Sequence, residues 1–364
     1  MKRFLAVLNI PSPYRLHLLK ELSRQLKGRE IEFLCFFMAK GHRSRPENWL
    51  NPDIPFPHRY FMDIGCGCHH FNPGLILNIM MNKYDWILFG SPFDTFTGLC
   101  ISLLARAKCK VAWIEGNTAN PGKLHGIYGW LKRLVLSRCT FIAVPGQEGV
   151  AYVQLHRKLT VRKLPDCVYL PNLVDETKFK RGDGSVGEDR VCLIPSRLSP
   201  EKGVLPFVRL LDKVMLNGWR LVVLGKGTEE NEILKTAESG GFLDKILILN
   251  YVKYDDMPRY YAESDLMLLP SLRDQNPLVV IEALHCGLPI ALSDRAGNVA
   301  EAVSDGVNGW VLPVSDKEAF RRKLKEVFAT PKHKLKAMGA FSKLEKSKFW
   351  DSRVSISKFL DSIS

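Results

Sequence analysis

Short, continuous apolar runs recur at residues 4–10, 31–37, 86–89, 110–113 and 141–144, each bounded by polar or turn-forming residues. Apolar runs of that length without alternation predict strands buried on both faces, as in a parallel sheet. Between them, residues 15–26 and 128–136 repeat apolar side chains every three or four positions, the period of a helix with one buried face. Strand and helix patterns in alternation predict an α/β unit. A second series at 191–196, 220–224, 246–249, 266–269 and 289–292 predicts another sheet of the same type.

A chain of 364 residues exceeds the size at which one core usually stops growing. Two doubly wound, Rossmann-like domains are therefore expected, over residues 1–170 and 171–345, facing each other across a cleft at the carboxyl ends of their sheets. Residues 178–189, polar and rich in Gly, Lys and Asp, read as an exposed connection near the boundary. The opening apolar run is too short to span a bilayer and leads into Pro11, so it reads as a first strand rather than a signal peptide. The expected location is the cytoplasm. Nine scattered cysteines suit reduced thiols. The cluster Cys66-Gly67-Cys68-His69-His70 lacks the spacing of a structural zinc site and reads as a turn and loop, so no metal is expected.

Charge changes the picture in one half only. Residues 1–172 carry 23 Lys and Arg against 11 Asp and Glu, a net of +12, whereas the remainder carries 29 against 27. A one-sided positive field attracts nucleic acid, anionic lipid or phosphorylated acceptors without choosing among them. No nucleic-acid-binding motif accompanies it.

The densest candidate chemistry lies in residues 270–289. Asp274 precedes a helix pattern and Glu282, eight residues on, lies inside it. The helix start, around Asn276, Pro277, Leu278 and Val279, leaves backbone N–H groups that favour an anion such as a diphosphate. The plainer reading is a strand-loop-helix unit with surface carboxylates. Upstream, Arg197 and Lys202 flank a strand-to-helix loop and suit the same diphosphate, Arg by its planar fork and Lys as a mobile charge. Gly225 and Gly227 end another strand in a tight turn, weak evidence by themselves for phosphate contact. Asp255-Asp256, beside Met257-Pro258, reads as a helix cap rather than a metal-chelating pair.

Taken together, Leu170 through Asp175, Arg197 through Gly203, Leu224 through Gly227, Tyr261 through Asp265, Pro270 through Pro289 and Glu301 through Gly309 resemble the donor half of GT-B glycosyltransferases, in particular the large retaining family numbered 4 (glycosyl transferases group 1), of the polysaccharide and lipopolysaccharide type. The resemblance implies that Arg197, Lys202 and Glu282 bind a sugar nucleotide. The diphosphate falls to the two cations and the ribose to Glu282, while backbone near Tyr251, Val252 and Lys253 meets the base. Asp274 stands where the family's Glu-x7-Glu pair has its first glutamate, beside the donor sugar. The charge is kept and the arm is one methylene shorter. Residues 346–364 are expected to form a helix crossing back to the first domain, as in relatives. No metal or other cofactor is implied, because cations and helix N–H groups can stabilise the departing diphosphate.

In the first half, Asn9-Ile10-Pro11-Ser12-Pro13-Tyr14-Arg15 replaces the glycine-rich turn of many relatives and offers Ser12, Tyr14 and Arg15 to an acceptor. An ordinary helix start with an exposed cation is the alternative. Trp113 and Glu115 stand near the place where many relatives carry a histidine. Glu115 reads equally as an acid, a base, a sugar ligand or a turn cap; His69, His70 and His125 read as surface or loop residues. The basic-aromatic stretch Tyr128 through Val135 suits either lipid headgroups or packing on the sheet.

The expected activity is transfer of a sugar, with retention, from a nucleotide-sugar donor, UDP-linked by family frequency, to a saccharide or lipid-linked saccharide acceptor in cell-surface polysaccharide assembly. Asp274 and Glu115 are the candidate catalytic carboxylates. The protein would attach peripherally to the inner membrane face through its basic half, with no nucleic-acid partner. A GDP-sugar transferase is the nearest variant, and a non-catalytic sugar-nucleotide-binding protein is the alternative from another class.

Overall fold

The computed structural model describes all residues except 41–52, 65–69, 91, 92, 94, 120, 123, 181, 183–187 and 251. The chain divides into two compact units, one of residues Met1–Leu173 with Ser352–Ser364 and the other Val174–Asp351.

The first unit holds seven strands: β1 (Lys2–Leu8), β2 (Ile31–Phe37), β3 (His58–Tyr60), β4 (Tyr84–Gly90), β5 (Ala107–Trp113), β6 (Phe141–Val144) and β7 (Asp166–Tyr169). They form one sheet in the order β3-β2-β1-β4-β5-β6-β7, parallel at every pairing. A parallel sheet needs crossover helices on its faces, which is why its central strands are largely apolar. On one face, Leu75, Ile79, Ile101, Leu136 and Val153 from four helices pack on Val7, Ile87, Ala112 and Ile142. On the other lies the helix Pro13–Gly28, against which the terminal helix Ser352–Ser362 packs. His17 Nε2 meets Ser352 Oγ at 2.8 Å, and Gln25 Nε2 donates to the Arg353 carbonyl at 2.9 Å.

The second unit repeats the plan with β8 (Arg190–Ile194), β9 (Trp219–Leu224), β10 (Ile246–Leu249), β11 (Leu266–Leu269), β12 (Ile290–Ser293) and β13 (Gly309–Leu312), ordered β10-β9-β8-β11-β12-β13 and all parallel. Its core is built around Trp219, Phe207, Phe242, Trp310 and Phe328. The buried Trp219 indole donates to the Phe328 carbonyl at 2.8 Å, so a large apolar ring enters the core without an unpaired donor.

Strands β3, β7 and β13 lie outside the apolar runs of the sequence. Their sequences, HRY, DCVY and GWVL, are short, and all three sit at sheet edges; the first two carry polar residues there. Two other expectations change. Phe179, inside the polar stretch 178–189, is fully buried against Tyr254 and Tyr261, so the stretch is anchored to the second unit rather than being exposed throughout. Asp256 occupies the cap position of the helix Met257–Ala262 but makes no capping hydrogen bond, and Asp255 pairs with Lys178 at 2.8 Å. The seven cysteines among the described residues are free thiols. Cys66, Cys68 and His69 lie outside the described residues; His70 is buried and hydrogen-bonded to Asp63. Among the described residues no helix is long and apolar enough to cross a membrane.

In each sheet the strand order reverses once, between β1 and β4 and between β8 and β11. Loops leaving the carboxyl ends of strands at such a reversal diverge and leave a crevice, the place where open α/β sheets bind ligands.

Candidate functional site

In the second unit the loops after β8 and β11 flank that reversal. Lys202, in the short helical turn Pro200–Lys202 after β8, extends its ammonium to Asp274, in the loop after β11, with Nζ to Oδ2 at 2.5 Å. Both side chains are largely shielded, at 18% and 14% exposure. The loops are also joined through backbone, Arg273 N–H donating to the Glu201 carbonyl at 3.0 Å. Gly203 closes the turn at φ 66°, and a Cβ there would stand 2.3 Å from the Pro270 carbonyl oxygen. Only a residue without a side chain lets the two loops meet so closely.

Two further loops brace these. The turn after β9 packs against the β8 loop: a Cβ on Gly225 or Gly227 would fall 2.2 Å from the Ser196 oxygen or 2.0 Å from the Leu198 oxygen. The loop after β12 holds the Asp274–Pro277 segment from the other side. There Gly297 N–H donates to the Asp274 carbonyl, and Asn298 Nδ2 to the Pro277 carbonyl, both at 3.0 Å.

The segment then enters the helix Leu278–His285 with Pro277 at the cap position and no side-chain cap, leaving the first-turn amides of Leu278 and Val279 without intrahelical acceptors. Asn276 Nδ2, just before it, is buried with no hydrogen-bond partner. A buried donor in that condition is costly unless something outside the protein accepts from it. Arg197 is different: its side chain is 70% exposed and its guanidinium pairs with Glu201 at 3.0 Å. Val252 is half-buried in the segment following β10, and Tyr251 lies outside the described residues.

Glu282 is engaged by a partner with no place in the sequence reading. Its carboxyl is 5% exposed and accepts from the hydroxyl of fully buried Tyr261 at 2.7 Å. Burial pushes the carboxyl up to about 7, against an opposing pull from the Tyr261 hydrogen bond. Burial and the neighbouring Glu282 raise both Tyr261 and Tyr254 above the usual phenol range. Twenty-one positions separate Tyr261 from Glu282, on different helices, and no periodicity links them.

In the first unit the loops after β1 and β5 meet. Arg15, in the first turn of the helix Pro13–Gly28, lays its guanidinium 4.2 Å from the centre of the Trp113 ring and donates to Glu115 Oε1 at 3.0 Å. Asn172 Nδ2 donates to the same oxygen at 2.9 Å. The carboxylate is thus fixed by two donors at 30% exposure, able to accept a further hydrogen bond on its other oxygen. Tyr14 is half-buried beside it in sequence, and Ser12 is buried with its hydroxyl unpaired. His125 is exposed at the start of the helix Gly126–Ser137. Asn172 belonged to a recognisable sequence segment, but its bond to Glu115 is visible only in three dimensions.

Both sheets, with their reversals and loop constellations, define a GT-B fold. Residues 175–343, a little under half of the chain, match the family model of glycosyl transferases group 1, and this match supports a group 1 GT-B glycosyltransferase. It is 26% identical over 141 residues to an uncharacterized glycosyltransferase of Methanocaldococcus jannaschii, covering 38% of this chain and 36% of that protein. It is 26% identical over 257 residues to the UDP-Gal:alpha-D-GlcNAc-diphosphoundecaprenol alpha-1,3-galactosyltransferase of Escherichia coli, covering 65% of each. Among solved structures, Anabaena HepE in complex with UDP and glucose superposes with a TM-score of 0.72 at 16% identity, over 100% of this chain and 99% of that one. The first of these relatives is thus matched over little more than a third of its length.

Proposed function

We propose that the protein transfers a sugar, with retention of anomeric configuration, from a UDP-sugar to a saccharide or lipid-linked saccharide acceptor in cell-surface polysaccharide assembly. The observation that carries this reading is the convergence of four strand-end loops on Lys202, Asp274 and the unpaired Asn276 amide at a helix start. That is a fixed set of donors for a diphosphate, held beside a carboxylate suited to sugar hydroxyls. Lys202, Arg197 and the amides of Leu278 and Val279 would take the charge that develops on the leaving diphosphate. With those cations in place no metal is required, and turnover should persist in excess chelator. Glu282 would accept from the ribose hydroxyls, and the backbone at Val252 would meet the base.

In the first unit, Glu115 would orient or deprotonate the acceptor hydroxyl, with Arg15 and Asn172 holding it in place and Ser12 and Tyr14 lining the acceptor. The choice of UDP is supported by the relatives: the Escherichia coli protein is named for UDP-Gal and a diphosphoundecaprenol-linked acceptor, and HepE was solved with UDP and glucose. A lipid-linked acceptor places the protein at the inner membrane face, on the cytoplasmic side, attached peripherally by its basic half.

Calorimetric titration with UDP, GDP and a panel of their sugars tests the donor reading. Binding of UDP with sugar-dependent enhancement is expected. Preference for GDP replaces the base, binding without turnover reduces the protein to a sugar-nucleotide-binding module, and no binding to any nucleotide overturns the reading. The anomeric coupling constant of the product decides retention.

A further inference from the structure

Two neighbouring helices of the first unit, Pro73–Met81 and Phe96–Leu104, contain no charged residue. Apart from Gly74, every position they expose is a large apolar side chain: Leu77, Met80 and Met81 on the first, Phe96, Leu103 and Leu104 on the second. Exposures run from 40% for Met80 to 83% for Met81. A crossover helix on a parallel sheet ordinarily turns polar residues outward, and a contiguous apolar surface marks something that covers it. The helix Gly126–Ser137 packs beside the second of these and extends the surface with Ile127, Tyr128 and Trp130, between 51% and 70% exposed. Its buried Leu136 packs in the core on the sheet, and these three exposed side chains lie outside that core.

Charge selects the occupant. From residue 73 to 138 the chain carries eight Lys and Arg against three acids. Two of those acids are already engaged, Asp85 with Lys108 and Glu115 with Arg15. The three helices all run back against their strands, which brings their carboxyl ends to one edge, and each is followed there by an exposed cation: Lys83, Arg106 and Arg138. A second copy meeting this face about a two-fold axis would set that cationic edge against itself or leave it unanswered. An anionic bilayer answers both features, with acyl chains taking Leu, Met and Phe, the headgroup region taking Trp and Tyr, and acidic headgroups meeting the cations.

We infer that the face formed by helices Pro73–Met81, Phe96–Leu104 and Gly126–Ser137 inserts shallowly into an anionic lipid surface. Attachment then depends on apolar insertion and not on the basic charge alone. Its purpose rests on the lipid-linked-acceptor reading above; the physical claim does not.

The test is co-sedimentation of the full chain with vesicles of phosphatidylcholine alone and of phosphatidylcholine with phosphatidylglycerol, without donor or acceptor. The wild type is compared with the combined variant Leu77→Gln, Met81→Gln, Leu104→Gln, whose fold is checked by circular dichroism and whose UDP affinity is measured on the same preparation. Expected are wild-type binding to the anionic vesicles, a partial loss in high salt, and a drop of roughly tenfold or more in partitioning for the variant, with nucleotide affinity unchanged. Absence of wild-type binding, or equal binding by both proteins, overturns the inference. So does concentration-dependent dimerisation of the wild type that the variant abolishes, because a second copy would then own the face. Vesicle binding without UDP binding would remove the transferase reading and leave the surface standing; UDP binding without vesicle binding would do the reverse.

Discussion

Lys202 and Asp274, 72 positions apart in sequence, form one ion pair that bridges the loops on either side of the strand-order reversal in the second unit. The pair joins a cation suited to a diphosphate with a carboxylate suited to sugar hydroxyls, so each group tunes the other. Removing the carboxylate charge and removing the ammonium should have opposite effects on nucleotide affinity. Lys202→Met deletes a charged contact and leaves Asp274 facing the diphosphate, and should weaken UDP by about 2 kcal/mol, roughly thirtyfold. Asp274→Asn releases Lys202 and should tighten UDP while slowing sugar transfer. Calorimetry on the two variants decides the matter, and parallel losses in both would break the assignment.

Glu282 confers a pH dependence. In the unfolded chain its carboxyl ionises near the ordinary value of 4.5, and in the folded protein near 7. Between those limits the folded state holds a proton that the unfolded state has lost, so its contribution is full below 4.5 and is lost as pH rises through 7, by about 3 kcal/mol at most. Glu282→Gln should remove that fall. Urea midpoints at pH 5 and pH 8 measure it, and an unchanged difference in the variant would refute the assignment. A UDP-sugar, whose diphosphate does not titrate in this range, should bind the wild type more tightly at pH 8 than at pH 6 if its ribose donates to the carboxylate.

The Glu115 cluster separates binding from chemistry. Glu115→Gln keeps the shape, removes the charge that receives Arg15 and Asn172, and should lower the transfer rate about a hundredfold with UDP affinity unchanged. Its stability cost should stay at about 1 kcal/mol, since the partly exposed Arg15 keeps access to water and the introduced amide oxygen can still accept from the buried Asn172 Nδ2. A variant with full activity would return Glu115 to the role of a turn cap.

Gly203 holds the loops after β8 and β11 together at φ 66°, with the Pro270 oxygen 2.3 Å from where a Cβ would sit. Gly203→Ala should cost about 2–3 kcal/mol and misplace Lys202, lowering both the denaturation midpoint and UDP affinity. Loss of stability with normal affinity would show that the loops tolerate separation.

Much of the architecture was legible because strands buried on both faces need continuous apolar sequence. Residues 31–37, 141–144 and 266–269 coincide with β2, β6 and β11, and 246–249 coincide with β10, an edge strand that is apolar although only partly buried. Strands β3 and β7 escaped for the converse reason: as short edge strands they carry polar residues on their solvated sides. Local signals also placed Asp274 before a helix and Arg197 and Lys202 after a strand, since turn residues and helix periodicity are properties of neighbouring positions.

Which side chains meet was beyond the sequence. Arg15 finds Glu115 across 100 positions, Asn172 finds it across 57, and Tyr261 reaches Glu282 from another helix. The apolar face at Leu77, Met81 and Leu104 was hidden for a related reason: a charge-free helix reads as buried until its neighbours are known to leave one side uncovered. Periodicity along the chain determined the elements, because each element answers to its own residues. Pairing, burial and the ionisation of Glu282 were decided by tertiary structure, because they depend on distances between elements that no local pattern encodes.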